Sequence, residues 1–208
     1  SPLFPSPTPF RSGQKTLPRL KTDGAIAVPG NVTWDMTSSG NNNDLAIGDA
    51  SNVGLPQQFG PATVITWTNG AAGRYTHLNL FGSTQTFAGF EASAGGTGLY
   101  NNVVVQNTEA QTYGTGSTTG IVVFDNTADY TFGGSFRNNN GSGTGNVGIT
   151  MGSTTSSASG TQTIIGNISS TGPMTINSGT LALTTGTNNS ASVTFPAGST
   201  GTDRKSVV

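Results

Sequence analysis

From about Asn31 onward the chain is a succession of short apolar and β-branched runs, most of them alternating with small or polar residues. Val64-Ile65-Thr66-Trp67, Leu78-Asn79-Leu80-Phe81, Val103-Val104-Val105, Ile121-Val122-Val123-Phe124, Tyr130-Thr131-Phe132 and Val147-Gly148-Ile149-Thr150-Met151 are of this kind. So are Thr163-Ile164-Ile165, Met174-Thr175-Ile176, Leu181-Ala182-Leu183 and Val193-Thr194-Phe195. A period of two bounded by Gly, Asn, Ser and Thr clusters predicts strands, and no stretch keeps the i, i+3, i+4, i+7 stripe of a helix. The fold class expected is all-β.

Many short strands suit a parallel β-solenoid, a barrel or a β-sandwich, and the corners decide between them. A solenoid stacks each turn on the next at about 4.8 Å and turns tightly, which favours residues that tolerate φ > 0. Asn41-Asn42-Asn43, Gly95-Gly96, Gly133-Gly134, Asn138-Asn139-Asn140 and the glycines of 141–145 supply such corners. The favoured architecture is therefore a β-solenoid, a parallel β-helix with a degenerate repeat of no strict period; the alternative is a β-sandwich.

Composition narrows the function. Of 208 residues 31 are Gly, and only 8% are charged, against roughly 25% in an average soluble protein. Polarity comes from Thr, Ser, Asn and Gly. A net charge of −1 with no basic block gives no electrostatic reason to expect nucleic acid as a partner. No run approaches the roughly 18 apolar residues of a membrane-spanning helix. The absence of Cys excludes a disulfide scaffold and a thiolate metal site. Residues 1–30, with Pro2, Pro5, Pro7 and Pro9 at near-alternate spacing, are expected to be a Pro-rich linker or unstructured segment, followed by the β-helix repeat region over 31–202. Asp203-Arg204-Lys205-Ser206-Val207-Val208 breaks the composition with three charges in a row and is expected to be a sequencing-adapter scar, the whole being an interior piece of a longer reading frame.

Three segments carry a family resemblance. Met174-Thr175-Ile176-Asn177-Ser178-Gly179-Thr180-Leu181-Ala182-Leu183 resembles the T-x-I-N-x-G-T-L-x-L core of the autotransporter-associated β-strand repeat family. Residues 80–93, LFGSTQTFAGFEAS, are similar to the L-x-G-x-x-Q-T-x-x-G-L coil that precedes such repeats, and 126–144 are similar to the family's N-x-x-x-x-T-F-x-G stretch. The resemblance implies a right-handed parallel β-helix in a large secreted or surface-displayed bacterial protein. There it would be a structural or adhesive passenger segment, with cell-surface or glycan ligands and its own neighbouring coils as partners. Within the repeat, Ile176, Leu181 and Leu183 would face the interior, Gly179 would turn the corner, and Thr175, Thr180 and Thr184 would form ladders.

Candidate chemistry is sparse, and no catalytic, cofactor-binding or metal-ligating residue is assigned. His77, the single histidine, has neither a nucleophile nor an orienting carboxylate near it in sequence and is expected to be an outward strand residue. Asp125 and Asp129 are carboxylates that could divide acid and base roles, as in a β-helix polysaccharide hydrolase or lyase, but are expected to be solvated corner residues. Asp44 and Asp49, in NNNDLAIGDASN, fit no calcium-loop spacing and are expected in a turn. Trp67, Tyr75, Tyr100, Tyr113 and Tyr130 would make a carbohydrate-binding module if several faced outward. Thr84-Gln85-Thr86 and Thr161-Gln162-Thr163 have the Thr-x-Thr form of ice-binding ranks, which need repetition in successive coils.

Overall fold

The computed structural model describes residues 10–11, 19–21, 24, 26–35, 43–49, 51, 53–68, 75–92, 102–108, 118–156, 158–183 and 193–194. Among them there is no helix, and every strand pairing is parallel. The first sheet holds β1 (Phe10–Arg11), β3 (Val32–Asp35), β5 (Val64–Thr68) and β8 (Gly89–Ala92). The second holds β2 (Arg19–Leu20), β4 (Asn43–Ile47), β6 (Thr76–Asn79), β9 (Val103–Gln106) and β12 (Ser135–Arg137). The third holds β7 (Thr84–Phe87), β10 (Gly120–Phe124), β13 (Val147–Met151), β15 (Met174–Ile176) and β17 (Val193–Thr194). The fourth, of β11 (Tyr130–Phe132), β14 (Thr161–Ile164) and β16 (Thr180–Leu183), continues the side of the first, because the Phe132 ring lies 5.5 Å from that of Phe90.

The chain therefore visits three sides in turn, as in β5, β6, β7 and then β8, β9, β10, and lays each strand beside the one from the previous circuit. Among the described strands, those that neighbour each other in space are not consecutive in sequence, which is the layout of a β-solenoid and neither a closed barrel nor a meander. β1 and β2 fall inside the segment expected to be a linker and pair with β3 and β4. The proposed scar at 203–208 lies outside the described residues.

Alternation builds the core. Val32 and Trp34 point in while Thr33 is exposed, and Ile65 and Trp67 repeat the pattern one circuit later. Register then stacks like on like. Trp34 and Trp67 have ring centroids 6.1 Å apart, Leu45 meets Leu78, which meets Val105, which meets Phe136, and Val122 meets Ile149, which meets Met174. Phe90 sits at the centre, its ring 4.7 to 5.5 Å from those of Phe87, Phe124, Trp67 and Phe132. The 174–183 segment follows its expected form: Met174 is buried, Ile176, Leu181 and Leu183 pack on the core, and Gly179 has φ +74°. Thr184 lies outside the described residues.

One corner differs from the sequence reading. Leu78-Asn79-Leu80-Phe81 is expected as a strand, yet β6 ends at Asn79 and Phe81 lies in the left-handed region at φ 48°, followed by Gly82 at φ 70°. Ser83 N–H donates to Leu80 C=O at 2.9 Å, closing a turn of the mirror-image type that joins β6 to β7. A non-glycine residue there costs about 1–2 kcal/mol. The conformation is held from both sides: Phe81 N–H donates to Asn107 C=O, and Gly54 N–H donates to Phe81 C=O, each at 2.8 Å.

Candidate functional site

Three titratable groups that the sequence scatters, Asp44, His77 and Arg137, meet on the outer side of the β2-β4-β6-β9-β12 sheet. Because Leu45, Leu78, Val105 and Phe136 point inward, their neighbours Asp44, His77, Gln106 and Arg137 point the other way. Pairing of Asp44 with His77 in register brings Asp44 Oδ1 to 2.6 Å from His77 Nδ1. Arg137, two strands further on, reaches back across β9 so that Nη2 stands 3.5 Å from His77 Nε2. Its Nε donates to Gln106 Oε1 at 2.7 Å, Gln106 Nε2 donates to Asn79 Oδ1 at 2.7 Å, and Asn79 Nδ2 donates to the Leu45 carbonyl at 3.4 Å.

One sequence expectation is corrected here, and a second is met in direction though not in exposure. Asp44 is not in a turn but in β4, 3% exposed, and His77, though it points away from the core, is only 5% exposed. The orienting carboxylate missing from its sequence neighbourhood arrives from the preceding circuit. Arginine can only donate, so the histidine tautomer that satisfies both contacts has its proton on Nδ1, given to Asp44, and its Nε2 lone pair turned to Arg137. The nitrogen a general base would offer to a substrate faces the Arg137 guanidinium at 3.5 Å.

Of the remaining candidates only Tyr75 touches this cluster among the described contacts. Asp125 accepts from Ser153 N–H at 3.4 Å and from the Ser156 hydroxyl, whereas Asp129 accepts from Thr161 N–H at 2.8 Å. Each carboxylate thus caps the next circuit. Asp49 accepts from Ser51 N–H at 2.9 Å and pairs with Arg19 and Lys21. No group of three or more His, Cys, Asp or Glu that could hold a metal is found among the described residues. Trp67 is in the core, and Tyr130 lies half-buried against Gly89. Tyr75 is 44% exposed and stacks on His77 with centroids 6.3 Å apart. Tyr100 and Tyr113 lie outside the described residues.

The glutamines of the two Thr-Gln-Thr triplets were missed as structural parts. Their threonines point outward, while Gln85 and Gln162 are fully buried. Gln85 Oε1 accepts from Gln58 N–H at 2.7 Å and its Nε2 donates to Pro56 C=O at 3.1 Å; Gln162 accepts from Phe90 N–H and donates to Phe90 C=O, both at 3.1 Å. In each case the primary amide imitates a peptide group where strand pairing is interrupted. A buried polar residue at an inward strand position was the available signal. No family model, no curated protein and no solved structure matches this chain.

Proposed function

We propose that the chain is a structural or adhesive segment, without catalysis of its own, of a large secreted or surface-displayed bacterial protein. In this reading the solenoid is a right-handed parallel β-helix of the passenger type, resembling the autotransporter-associated repeats. One observation carries the proposal: the side chains with potential chemistry bond between circuits. Asp44 bonds to His77, Asp125 to Ser153 and Ser156, Asp129 to Thr161 and Asn138 to Thr171. Such bonds join successive turns along the stacking axis, which suits a part whose work is length and stiffness. Incubation of the whole chain with a panel of acidic and neutral polysaccharides tests this, read by new reducing ends and by unsaturated uronate. No product above the blank is expected, whereas product formation lost in Asp125→Asn or His77→Asn would overturn it.

A second reading, glycan binding, is favoured by Tyr75, the one described tyrosine with an exposed ring. It is compatible with an adhesive segment.

A further inference from the structure

We infer that Asn140 is a site of spontaneous modification, converted to aspartate and isoaspartate by attack of the Gly141 nitrogen on its carboxamide. The inference goes beyond the structural role above and is independent of it. The reaction needs solvent at the asparagine and an unshielded main-chain nitrogen directly after it. The Gly141 nitrogen, on losing its proton to solvent base, attacks Cγ of Asn140; the new C–N bond closes a succinimide ring while the Cγ–Nδ2 bond breaks and ammonia leaves with a proton. Water then opens the ring. Addition at Cγ gives aspartate, and addition at the main-chain carbonyl gives isoaspartate, in which the main chain runs through the former side chain. Water is the only reactant consumed.

The fold itself sets up this pair. Asn140, Gly141 and Ser142 are all exposed, on the corner that leads from β12 toward β13. Gly141 has φ +95°, where a side chain would be strained, so the corner favours glycine directly after Asn140. Glycine has no Cβ to shield its nitrogen, and among the described residues no hydrogen bond uses the Gly141 N–H. Asn177-Ser178 is the contrasting pair. There Asn177 Nδ2 donates to Gly152 C=O at 2.8 Å and Ser178 N–H donates to Met151 C=O at 3.3 Å, so both reacting groups are engaged. Asn69-Gly70, the other Asn-Gly of the chain, lies outside the described residues. The product bears on the stack. Isoaspartate lengthens the main chain by a carbon in a corner closed by Asn139 N–H to Gly145 C=O at 3.2 Å and tied to the previous circuit by Asn140 N–H to Thr108 C=O at 2.8 Å. It also adds a negative charge next to Asn139, whose Oδ1 accepts from Asn107 Nδ2 at 3.0 Å.

Incubation of the whole chain at mildly alkaline pH, folded or unfolded in guanidinium chloride, followed by peptide mass mapping with each site read from fragment ions, tests the inference. Asn140 should gain the mass that exchanging ammonia for water brings, as both isoaspartate and aspartate, faster as pH rises and at rates within about threefold of each other in the folded and unfolded chain. Asn177 should convert about tenfold or more slowly when folded than when unfolded, because its two hydrogen bonds must open first. Asn140→Gln, whose longer side chain would have to close a larger ring, should lose the signal at 140; the position is exposed, and circular dichroism checks that the variant folds. In the aged chain, hydrogen exchange at the Asn139 and Asn140 amides should be faster than in the fresh chain. Asn140 that stays intact in the folded chain while it converts in the unfolded one, conversion of folded Asn177 as fast as that of Asn140, or a mass gain that persists in Asn140→Gln would overturn the assignment.

Discussion

At the scale of single residues, the balance of burial against pairing decides what a charged group does. Asp44 and His77 are both nearly inaccessible, and each satisfies the other at 2.6 Å. Removing one partner leaves the other buried without compensation, at a cost of about 3–5 kcal/mol. His77→Ala is therefore expected to lower unfolding stability in urea by that amount, and Asp44→Asn added to it should cost little more. A loss below about 1 kcal/mol would show that water reaches the carboxylate. Backbone conformation sets a second class of single-residue effects. Gly152 has φ +77°, and a Cβ there would run into Ser178. Gly152→Ala combines about 1–2 kcal/mol of left-handed strain with that overlap, so a loss of about 2 kcal/mol or more is expected from the same urea titration.

At the scale of elements, strands were legible where alternation was clean and obscure where polar residues replaced apolar ones. β5, β10, β13 and β15 follow from Ile65 and Trp67, Val122 and Phe124, Ile149 and Met151, and Met174. β4 was hidden in an Asn- and Asp-rich stretch that imitates a turn, because its polar face is buried by the fold and not by its own sequence. β12, three residues with only Phe136 fully buried, was too short to show a period. The Asp44–His77–Arg137 cluster could not be read in advance, since its members come from three circuits of unequal length: Asn43 pairs with Thr76, Thr76 with Val103 and Val104 with Ser135. No constant period marks the partners. Between β8 and β11 no strand pairing is present among the described residues, and Gln162 supplies both polar bonds to Phe90. Gln162→Leu keeps the volume but strands a buried N–H and C=O, each worth about 1–3 kcal/mol. Faster hydrogen exchange at the Phe90 amide and a loss of about 2–4 kcal/mol are expected; unchanged exchange would mean that the two strands meet without the side-chain amide.

At the scale of the molecule, the same economy recurs on all three sides. Apolar columns fill the interior, and polar side chains that elsewhere serve chemistry tie one circuit to the next. Stability in such an array is a sum over neighbouring turns, so a defect weakens the circuits on either side of it more than distant ones. The register of the stack, on which the site and the proposed role both depend, is open to direct measurement. The chain has no Cys, so Thr33→Cys and Thr180→Cys, both at exposed positions on the same side, can be spin-labelled without background. Steps from β3 through β5, β8, β11 and β14 to β16, at about 4.8 Å each, place the two labelled backbones about 24 Å apart. Double electron–electron resonance should give a single peak near that distance, broadened by the label arms. A peak below about 15 Å, one beyond about 40 Å, or no defined distance would contradict the parallel stack.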